Sequence, residues 1–198
     1  MPKIVDYDQR RSEIVDVTWN LIIDGGIEAA TMREIARSAG YANGALKLYF
    51  PSKDLIVEAT FQRALELMYG KVRDAVGDRR GLEALRISCR EAMPIDDERV
   101  NASRVLLAFW AMSLSHERLR QAYTKHLVTW REGLHEYLRQ GREDGQIVTP
   151  TPDEELVDEL VLINAGANAM VVVGPEYTTT ELQLAHLDAF FARLRRRR

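Results

Sequence analysis

The chain of 198 residues is 46% hydrophobic and 29% charged, which is typical of a soluble globular protein long enough to bury a sizeable core. Its net charge of −3 is not that of a generally basic nucleic-acid-binding protein. The single cysteine, Cys89, excludes an intramolecular disulfide and is in keeping with a reducing compartment, so we expect a cytoplasmic protein.

We expect neither a signal peptide nor a membrane span. The N-terminus lacks a basic segment followed by an apolar one. The longest apolar stretch, residues 161–173, contains Asn164 and Asn168 and is too short to cross a bilayer. Glycine and proline are sparse, and no strand-like alternation recurs between turn signals. The sequence therefore predicts an all-α protein.

The first helix is predicted over residues 9–24, with Gly25 and Gly26 ending it. The second begins at Thr31, whose hydroxyl can accept a hydrogen bond from a free helix N–H, and Glu34 can complete a capping box. Gly40 ends this short helix, because glycine at that position adopts a positive φ without a Cβ clash. Its apolar face consists of Met32, Ile35, Ala36 and Ala39.

A third short helix follows a tight turn. Asn43 can cap it, and Leu46 and Phe50, four residues apart, share its buried side. Two short helices joined by such a turn, with small residues at the front of the second, are typical of a helix-turn-helix, whose second helix enters the DNA major groove. Any compact αα-hairpin has similar spacing, so the pattern alone leaves both interpretations open.

Residues 31–55 resemble the DNA-binding domain of the TetR family of transcriptional regulators, whose pattern is roughly T-x-x-x-I-A-x-x-A-G-V-S-x-G-x-L-Y-x-[HY]-F-x-[SN]-K-[DE]-x-L. Twelve positions match, namely Thr31, Ile35, Ala36, Ala39, Gly40, Gly44, Leu46, Tyr49, Phe50, Ser52, Lys53 and Asp54, and Leu55 stands one position before the final leucine of the pattern. The resemblance implies a helix-turn-helix domain over residues 1–53 that binds double-stranded operator DNA. It also implies a ligand-binding and dimerisation domain over residues 54–198.

Three departures from the family pattern matter: Tyr41, Ala42 and Lys47 stand where the family usually has valine, serine and tyrosine. The missing serine hydroxyl removes one expected phosphate contact. Lys47 adds a cation that can bond guanine O6 or N7, and Tyr41 adds a ring that can lie on a thymine methyl group or a phosphate.

The resemblance implies phosphate contacts at Thr31, Tyr49 and Lys53, which position the protein on DNA without reading its sequence. The alternative is that Tyr49 only packs against the first helix and Lys53 is only solvated. Residues 1–53 carry seven basic and seven acidic side chains, so DNA binding requires the cations to be segregated on one face. The expected DNA-binding residues are Thr31, Arg33, Tyr41, Ala42, Asn43, Gly44, Ala45, Lys47, Tyr49 and Lys53.

The remaining helices are predicted over residues 52–76, 82–93, 99–113, 116–141, 153–173 and from residue 180 onward, which brings the total to about nine. The helix over residues 99–113 is apolar around most of its circumference and should be central. This order fits the TetR architecture, with a three-helix DNA-binding domain before a helical C-terminal domain.

Two C-terminal segments are similar to choline-responsive repressors of the same family. Residues 106–116 read LLAFWAMSLSH, which contains the LAFWA run of those proteins, and residues 162–165 are also similar. Where those repressors have an Asp-Gly-Leu-Trp segment, residues 164–167 are Asn-Ala-Gly-Ala. Because the acid and the tryptophan are absent, the similarity implies the subfamily fold and not the choline ligand.

A small-molecule effector of unknown identity is expected among the fourth to seventh helices, which surround the cavity in this family. Such a pocket needs mainly apolar walls and a few polar groups, and aromatic rings can hold a cation over their faces. The alternative is that these side chains are ordinary core. The candidates are Phe61, Met68, Cys89, Met93, Leu106, Phe109, Trp110, Ser113, Tyr123, His126 and Trp130.

The last two helices are the expected homodimer face, because two half-sites on DNA require a two-fold protein. Small residues there allow close approach of helices, and buried asparagines can set the register between them. The alternative is a helix buried within one protomer. The candidates are Leu160, Asn164, Ala167, Asn168, Val171, Leu182, Ala185, His186, Ala189 and Phe190.

An enzyme is not expected, because the four histidines form no i, i+4 metal pair and no phosphate-cradling glycine loop is present. No cofactor is expected. The leading hypothesis is a ligand-responsive DNA-binding transcriptional regulator, a repressor that a small molecule releases from its operator. The alternative is an α-helical dimer that binds a small molecule or protein without recognising DNA.

Overall fold

The computed structural model describes residues 7–195, apart from the side chain of Asn43. This part of the chain contains nine α-helices, one short 3₁₀ helix and no β-strand, which confirms the all-α prediction. In chain order the helices are α1 (Tyr7–Ala29), α2 (Met32–Ser38), α3 (Asn43–Leu46), α4 (Lys53–Val76), α5 (Gly81–Glu91), α6 (Asp97–Ser113), α7 (Glu117–Glu143), α8 (Asp153–Val173) and α9 (Thr180–Leu194), with the 3₁₀ helix Pro175–Tyr177 before α9.

The helices form two compact units. The first unit comprises the chain up to Glu66 together with Arg104–Ala122, and the second comprises Leu67–Ser103 together with the chain from Tyr123 onward. Helices α4, α6 and α7 therefore contribute residues to both units. The expected boundary after residue 53 separates a DNA-binding part from a ligand-binding and dimerisation part, and it stays a prediction.

Helical structure in α1 continues beyond the glycine pair. Gly26 has φ 69° and ψ −174°, so the regular helix is interrupted there, yet helical structure resumes and reaches Ala29. A single residue of positive φ redirects the backbone without preventing another turn behind it. The regular helix therefore ends at the glycine pair as predicted, and residues 27–29 form a separate helical turn after the interruption.

Helix α2 has one half of the predicted capping box. The Thr31 hydroxyl accepts a hydrogen bond from the Glu34 N–H at 3.1 Å. The carboxylate of Glu34 does not return to the Thr31 N–H, because it pairs with the guanidinium of Arg37, whose Nε lies 3.0 Å away. The Thr31 N–H donates instead to the Ala29 carbonyl at 2.9 Å, so the reciprocal bond of the box is absent.

Gly40 ends α2 as predicted, with φ 74°. The Tyr41 N–H donates to the Ala36 carbonyl at 2.8 Å, and the Gly40 N–H donates to the Arg37 carbonyl at 3.2 Å. This pair of bonds is a Schellman motif, which satisfies two carbonyls at the end of the helix and turns the chain sharply toward α3.

Helix α3 is shorter than expected and is capped differently. Its N-cap is Ala42, not Asn43, and no side chain caps it. Regular helix ends at Leu46, and backbone hydrogen bonds of turns carry the chain on to Phe50. Leu46 and Phe50 are 0% and 1% exposed and anchor the segment in the core of the first unit.

The core of the second unit is formed mainly by α5, α7, α8 and α9. Two asparagines on α8 bond within this unit. The Asn164 side chain donates to the Ala92 carbonyl at 2.7 Å, and Asn168 accepts from the Ser103 hydroxyl at 2.7 Å and donates to the Asn164 carbonyl at 2.9 Å. Ala92 is the C-cap of α5, so Asn164 satisfies a carbonyl that the helix leaves free. Both asparagines thus bond within the protomer, and their role in setting register between two protomers stays a prediction.

Helix α8 has 21 residues and by length and composition alone is long and apolar enough to cross a membrane, although its apolar stretch of residues 161–173 is not. The helix includes residues 153–160 in addition to the apolar stretch. Leu156, Val157 and Leu160 pack in the core of the second unit. Only 22% of the most apolar 18-residue segment of α8 is buried within the single chain, so α8 leaves much apolar surface uncovered.

Candidate functional site

The surface of α3 presents small and basic side chains to solvent. Ala42, Gly44 and Lys47 are exposed, and Ala45 is half-buried. A Cβ placed on Gly44 would meet no other atom within 4 Å, so the space in front of the helix is open. Because Leu46 holds the opposite side of α3 in the core, the open side is available to the edge of a base pair.

Thr31 and Arg33 lie at the exposed start of α2. The Thr31 hydroxyl acts as an acceptor in the cap, which leaves its proton free to be donated to a phosphate oxygen. The predicted contact of Asn43 lies outside the described side chains.

The tyrosines predicted to contact DNA pack against α1. The ring of Tyr49 lies 5.2 Å from the ring of Tyr7 and 5.5 Å from the ring of Tyr41, measured between centroids. The hydroxyl oxygen of Tyr41 is buried, so it does not reach the surface where a phosphate would lie. Tyr49 thus packs on its neighbours in the folded chain, and its contact with a phosphate stays a prediction.

Lys53, at the start of α4, is half-buried and not simply solvated. Its ammonium group donates a hydrogen bond of 2.7 Å to the Ile27 carbonyl. An ammonium has three N–H donors, so this bond fixes the side chain and leaves two donors for a phosphate.

Some basic side chains near the helix-turn-helix form ion pairs with acidic ones, and others do not. Arg10 pairs with Glu13 at 2.8 Å, and Arg37 pairs with Glu34. Among the described residues no acidic side chain pairs with either Arg33 or Lys47, and both are exposed. Although residues 1–53 carry equal numbers of acids and bases, Arg33 and Lys47 are thus exposed on the helix-turn-helix without a salt bridge to any described residue.

The effector candidates of the first unit centre on two phenylalanines. Phe61 and Phe109 are both buried and stacked, with ring centroids 4.0 Å apart and planes 20° apart. The Ser113 hydroxyl donates to the Trp110 carbonyl at 2.7 Å. Leu106, Trp110 and Ser113 are half-buried on α6.

In the second unit, two aromatic candidates lie beside a third, the imidazole of His126. His126 lies parallel to Trp130, with centroids 6.3 Å apart, and 5.8 Å from the ring of Tyr123. The hydroxyl of Tyr69 lies 2.9 Å from Nδ1 of His126. Sequence reasoning missed Tyr69, since nothing in the sequence indicates a contact across 57 positions.

Burial determines the charge state of this cluster. It lowers the pKa of His126 to about 4 and raises the pKa of Tyr69 to about 12, so at neutral pH the imidazole is uncharged and the phenol keeps its proton. The hydrogen bond between the Tyr69 hydroxyl and Nδ1 of His126 therefore joins two uncharged groups.

The other candidates of the second unit are core residues or lie beside the core. Cys89 and Met93 are 4% and 1% exposed, and Met68 is half-buried. Burial raises the pKa of the Cys89 thiol to about 12, so at neutral pH this cysteine is a small apolar side chain.

The predicted dimer residues separate into two groups. Leu160, Ala167, Asn168 and Phe190 are buried within the single chain, and Asn164 and Val171 are half-buried. Leu160 and Phe190 belong to the core of the second unit, although Phe190 also lines a groove between α8 and α9. The exposed group consists of Leu182, Ala185, His186 and Ala189, all on α9.

A groove of about 450 Å³ lies between α8 and α9. Exposed Leu162 and Met170 of α8 line it, together with Leu182 and His186 of α9. Arg193 pairs with Glu159 at its side. The unburied part of α8 is thus continuous with an apolar face of α9.

Comparison with protein-family models gives matches to both parts of the chain. Residues 14–60 match bacterial regulatory proteins of the tetR family, and residues 81–196 match the C-terminal domain of the BetI-type transcriptional repressor. The helix-turn-helix described above falls within the first match. The groove and the Tyr69–His126 pair lie in or beside the second.

Individual proteins agree with these matches. The HTH-type transcriptional regulator PksA of Bacillus subtilis is 27% identical over 160 residues, which cover 80% of this chain and 76% of PksA. The HTH-type transcriptional regulator BetI of Burkholderia cenocepacia is 29% identical over 191 residues, which cover 94% and 95% of the two chains.

A protein of Saccharomonospora viridis solved in complex with choline has the same fold, with a TM-score of 0.85 at 21% identity, covering 93% of this chain and 96% of that one. The capped α2, the turn at Gly40 and the open α3 thus occur in a chain whose two parts both match models of one family of regulators. The protein belongs to the TetR family of DNA-binding transcriptional regulators and carries a BetI-type C-terminal domain.

Proposed function

We propose that this protein is a cytoplasmic, homodimeric repressor that is released from its operator by a small molecule. Residues 1–53 bind DNA in this proposal, and residues 54–198 bind the effector and the second protomer. The observation that carries it is the open side of α3, where Gly44 leaves free space and Lys47 is exposed without an ion pair. A groove-reading helix needs this combination of access and positive charge.

The DNA contacts are of two kinds. Lys47 extends toward the base edges and bonds guanine O6 or N7, while Gly44 and Ala45 allow close approach. Thr31, Arg33 and Lys53 contact phosphates, which fixes the register of the protein on the duplex. Support comes from the exposure of Arg33 and Lys47 and from the fixed position of Lys53 on the Ile27 carbonyl.

The effector binds beside the aromatic cluster of Tyr69, Tyr123, His126 and Trp130. An uncharged His126 adds no positive charge, so the aromatic faces can accept a small organic cation as well as a neutral ligand. Choline is a suitable first probe, because the structural relative from Saccharomonospora viridis was solved with it. A screen of further small molecules against the protein–DNA complex then identifies the effector of this chain.

Release follows from linkage between the two sites. Tyr69 lies on α4, the helix that begins at Lys53 beside the DNA-binding residues. A ligand that prefers a different position of α4 lowers operator affinity by the factor by which it prefers that state. Bound operator lowers the affinity for the effector by the same factor.

The second protomer covers the exposed apolar surface of α8 and α9. Leu162, Val173 and Leu182 are 71%, 72% and 46% exposed in the single chain. Side chains of this size on adjoining helices form a patch of the kind that marks an interaction surface. A two-fold dimer through this face gives the two recognition helices that a palindromic operator requires.

The test is a fluorescence titration of the purified protein against DNA from the region upstream of its own gene, at low and moderate salt. We expect tight binding by two protomers that weakens steeply as salt rises. Lys47→Ala should relax base preference by ~1–3 kcal/mol at one position. Lys125→Ala, at an exposed lysine of α7, is the matched control and should bind like the wild type.

An unchanged base preference in the Lys47→Ala variant, with a shallower salt dependence, would mean that Lys47 contacts only phosphate. Absence of wild-type binding at either salt concentration would favour the alternative of a helical dimer that does not recognise DNA. Addition of choline and related compounds to the preformed complex then identifies any ligand that releases the DNA.

A further inference from the structure

We propose that Leu48 is a specificity-determining residue that reads the 5-methyl group of a thymine in the operator. The inference rests on the proposed function, because it requires α3 to enter the major groove. Leu48 is absent from the expected DNA-binding residues, and the TetR pattern leaves its position variable. Leu48 directly follows Lys47 in the sequence, and both side chains are exposed.

The first observation is the exposure of Leu48 on the helix-turn-helix. Its side chain is 75% exposed, although Leu46 and Phe50, two residues away on either side, are 0% and 1% exposed. Tyr7, the other large exposed apolar side chain described near the helix-turn-helix, packs its ring on Tyr49. Leu48 thus projects from a segment whose neighbours are fixed in the core.

The second observation is that α1 holds the backbone on which Leu48 stands. The Tyr7 hydroxyl donates to the Leu48 carbonyl at 3.2 Å, and the Arg11 guanidinium donates to the Tyr49 carbonyl. Arg11 also lies over the ring of Phe50, 3.9 Å from its centroid. These contacts hold the backbone at residues 48–50, which sets the direction in which the Leu48 side chain leaves the chain.

The chemistry of the side chain selects the target. Leucine has no donor or acceptor, so it cannot read the hydrogen-bonding groups of a base edge. The apolar group that a base pair presents in the major groove is the C5-methyl of thymine. Contact between Leu48 and this methyl removes apolar surface of both groups from water, which is favourable in proportion to the area buried. Lys47 beside it supplies a charge that holds the segment close to the DNA.

The test pairs a side-chain truncation with the removal of a single methyl group. Each thymine of the footprint is replaced in turn by deoxyuridine, which lacks only the C5-methyl, and binding is measured for the wild type and for Leu48→Ala. At one thymine in each half-site we expect wild-type affinity to fall roughly fourfold, the factor corresponding to one CH₂-sized group buried. The Leu48→Ala variant should bind both DNAs equally.

Leu114→Ala is the matched control, since Leu114 is 85% exposed and lies in the first unit outside the helix-turn-helix. It should keep the wild-type response to deoxyuridine. Because the Leu48 side chain is largely exposed, truncation should leave the thermal unfolding midpoint unchanged, which separates a lost contact from a lost fold.

Two results would overturn the proposal while the proposed function stands: no deoxyuridine position that distinguishes wild type from Leu48→Ala, or a loss in Leu48→Ala that is equal on all sequences, which indicates backbone contact. Absence of wild-type binding to any of these DNAs would instead refute the proposed function, and the inference with it.

Discussion

The hydrogen bond between Ser103 and Asn168 offers a test of how the second unit is held together. The Ser103 hydroxyl donates to Asn168 Oδ1 at 2.7 Å, and the two residues are 1% and 8% exposed. The perturbation is Ser103→Ala, made once in the wild type and once in an Asn168→Leu background. Leucine has the branching of asparagine but no polar atoms, so it removes the acceptor and keeps an apolar side chain at the site.

The expected cost differs between the two backgrounds. In the wild type, Ser103→Ala leaves Asn168 Oδ1 buried without its donor, which costs about 1–3 kcal/mol of the free energy of unfolding. The Asn168→Leu background has no acceptor at position 168. The Ser103 hydroxyl then donates to the Arg99 carbonyl, 3.0 Å away. The same substitution should then cost well below 1 kcal/mol, because a helix carbonyl is already bonded within its own helix.

The assay is equilibrium urea unfolding followed by far-ultraviolet circular dichroism. All variants are compared at one protein concentration, because the stability of a dimer depends on concentration. A change in midpoint at a constant slope reports stability alone. Ser12→Ala, at an exposed serine of α1, is the control and should lie within about 0.5 kcal/mol of the wild type. Equal costs of Ser103→Ala in the two backgrounds would refute the reasoning, since they would show no coupling between the residues.

Two further outcomes follow from the second unit. The pKa of His126, about 4, lies below the ordinary 6.5, so the folded chain binds fewer protons than the unfolded chain between these values, and stability falls as pH drops through that window. His126→Gln should remove roughly 2 kcal/mol of the loss between pH 7 and pH 5, and an unchanged loss in urea unfolding would contradict the buried neutral imidazole. Leu182→Asp, at a 46% exposed position of α9, should shift the protein to monomer in sedimentation velocity, while Leu114→Asp stays dimeric. A dimeric Leu182→Asp variant would place the interface elsewhere.

Local structure near the DNA-binding surface could be inferred from the sequence, because the interactions that form it span only a few residues. The cap of Thr31 on the Glu34 N–H and the positive φ of Gly40 are such interactions, and both were predicted correctly. Two predictions in the same region, the full capping box and the Asn43 cap, were wrong because neighbouring residues take those roles. Arg37 takes the carboxylate of Glu34, and Ala42 stands at the N-cap in place of Asn43.

The predictions for the C-terminal region depended on contacts between distant parts of the chain. Periodicity correctly placed Asn164 and Asn168 on one side of α8, but it could not show that their partners are Ala92 and Ser103. These pairs are separated by 72 and 65 positions, and the pairing of Tyr69 with His126 spans 57. The sequence therefore led to a dimer role for residues that bond within the protomer.

The sequence by itself determined that the chain is helical, where most helices lie and which family its helix-turn-helix resembles. Those properties arise from side-chain periodicity, caps and glycine turns, which act over one or two helical turns. Only the tertiary structure decided which side chains face solvent. Leu48 is exposed and Leu160 is buried, although both are leucines, because packing between elements far apart in sequence determines which side chains are covered.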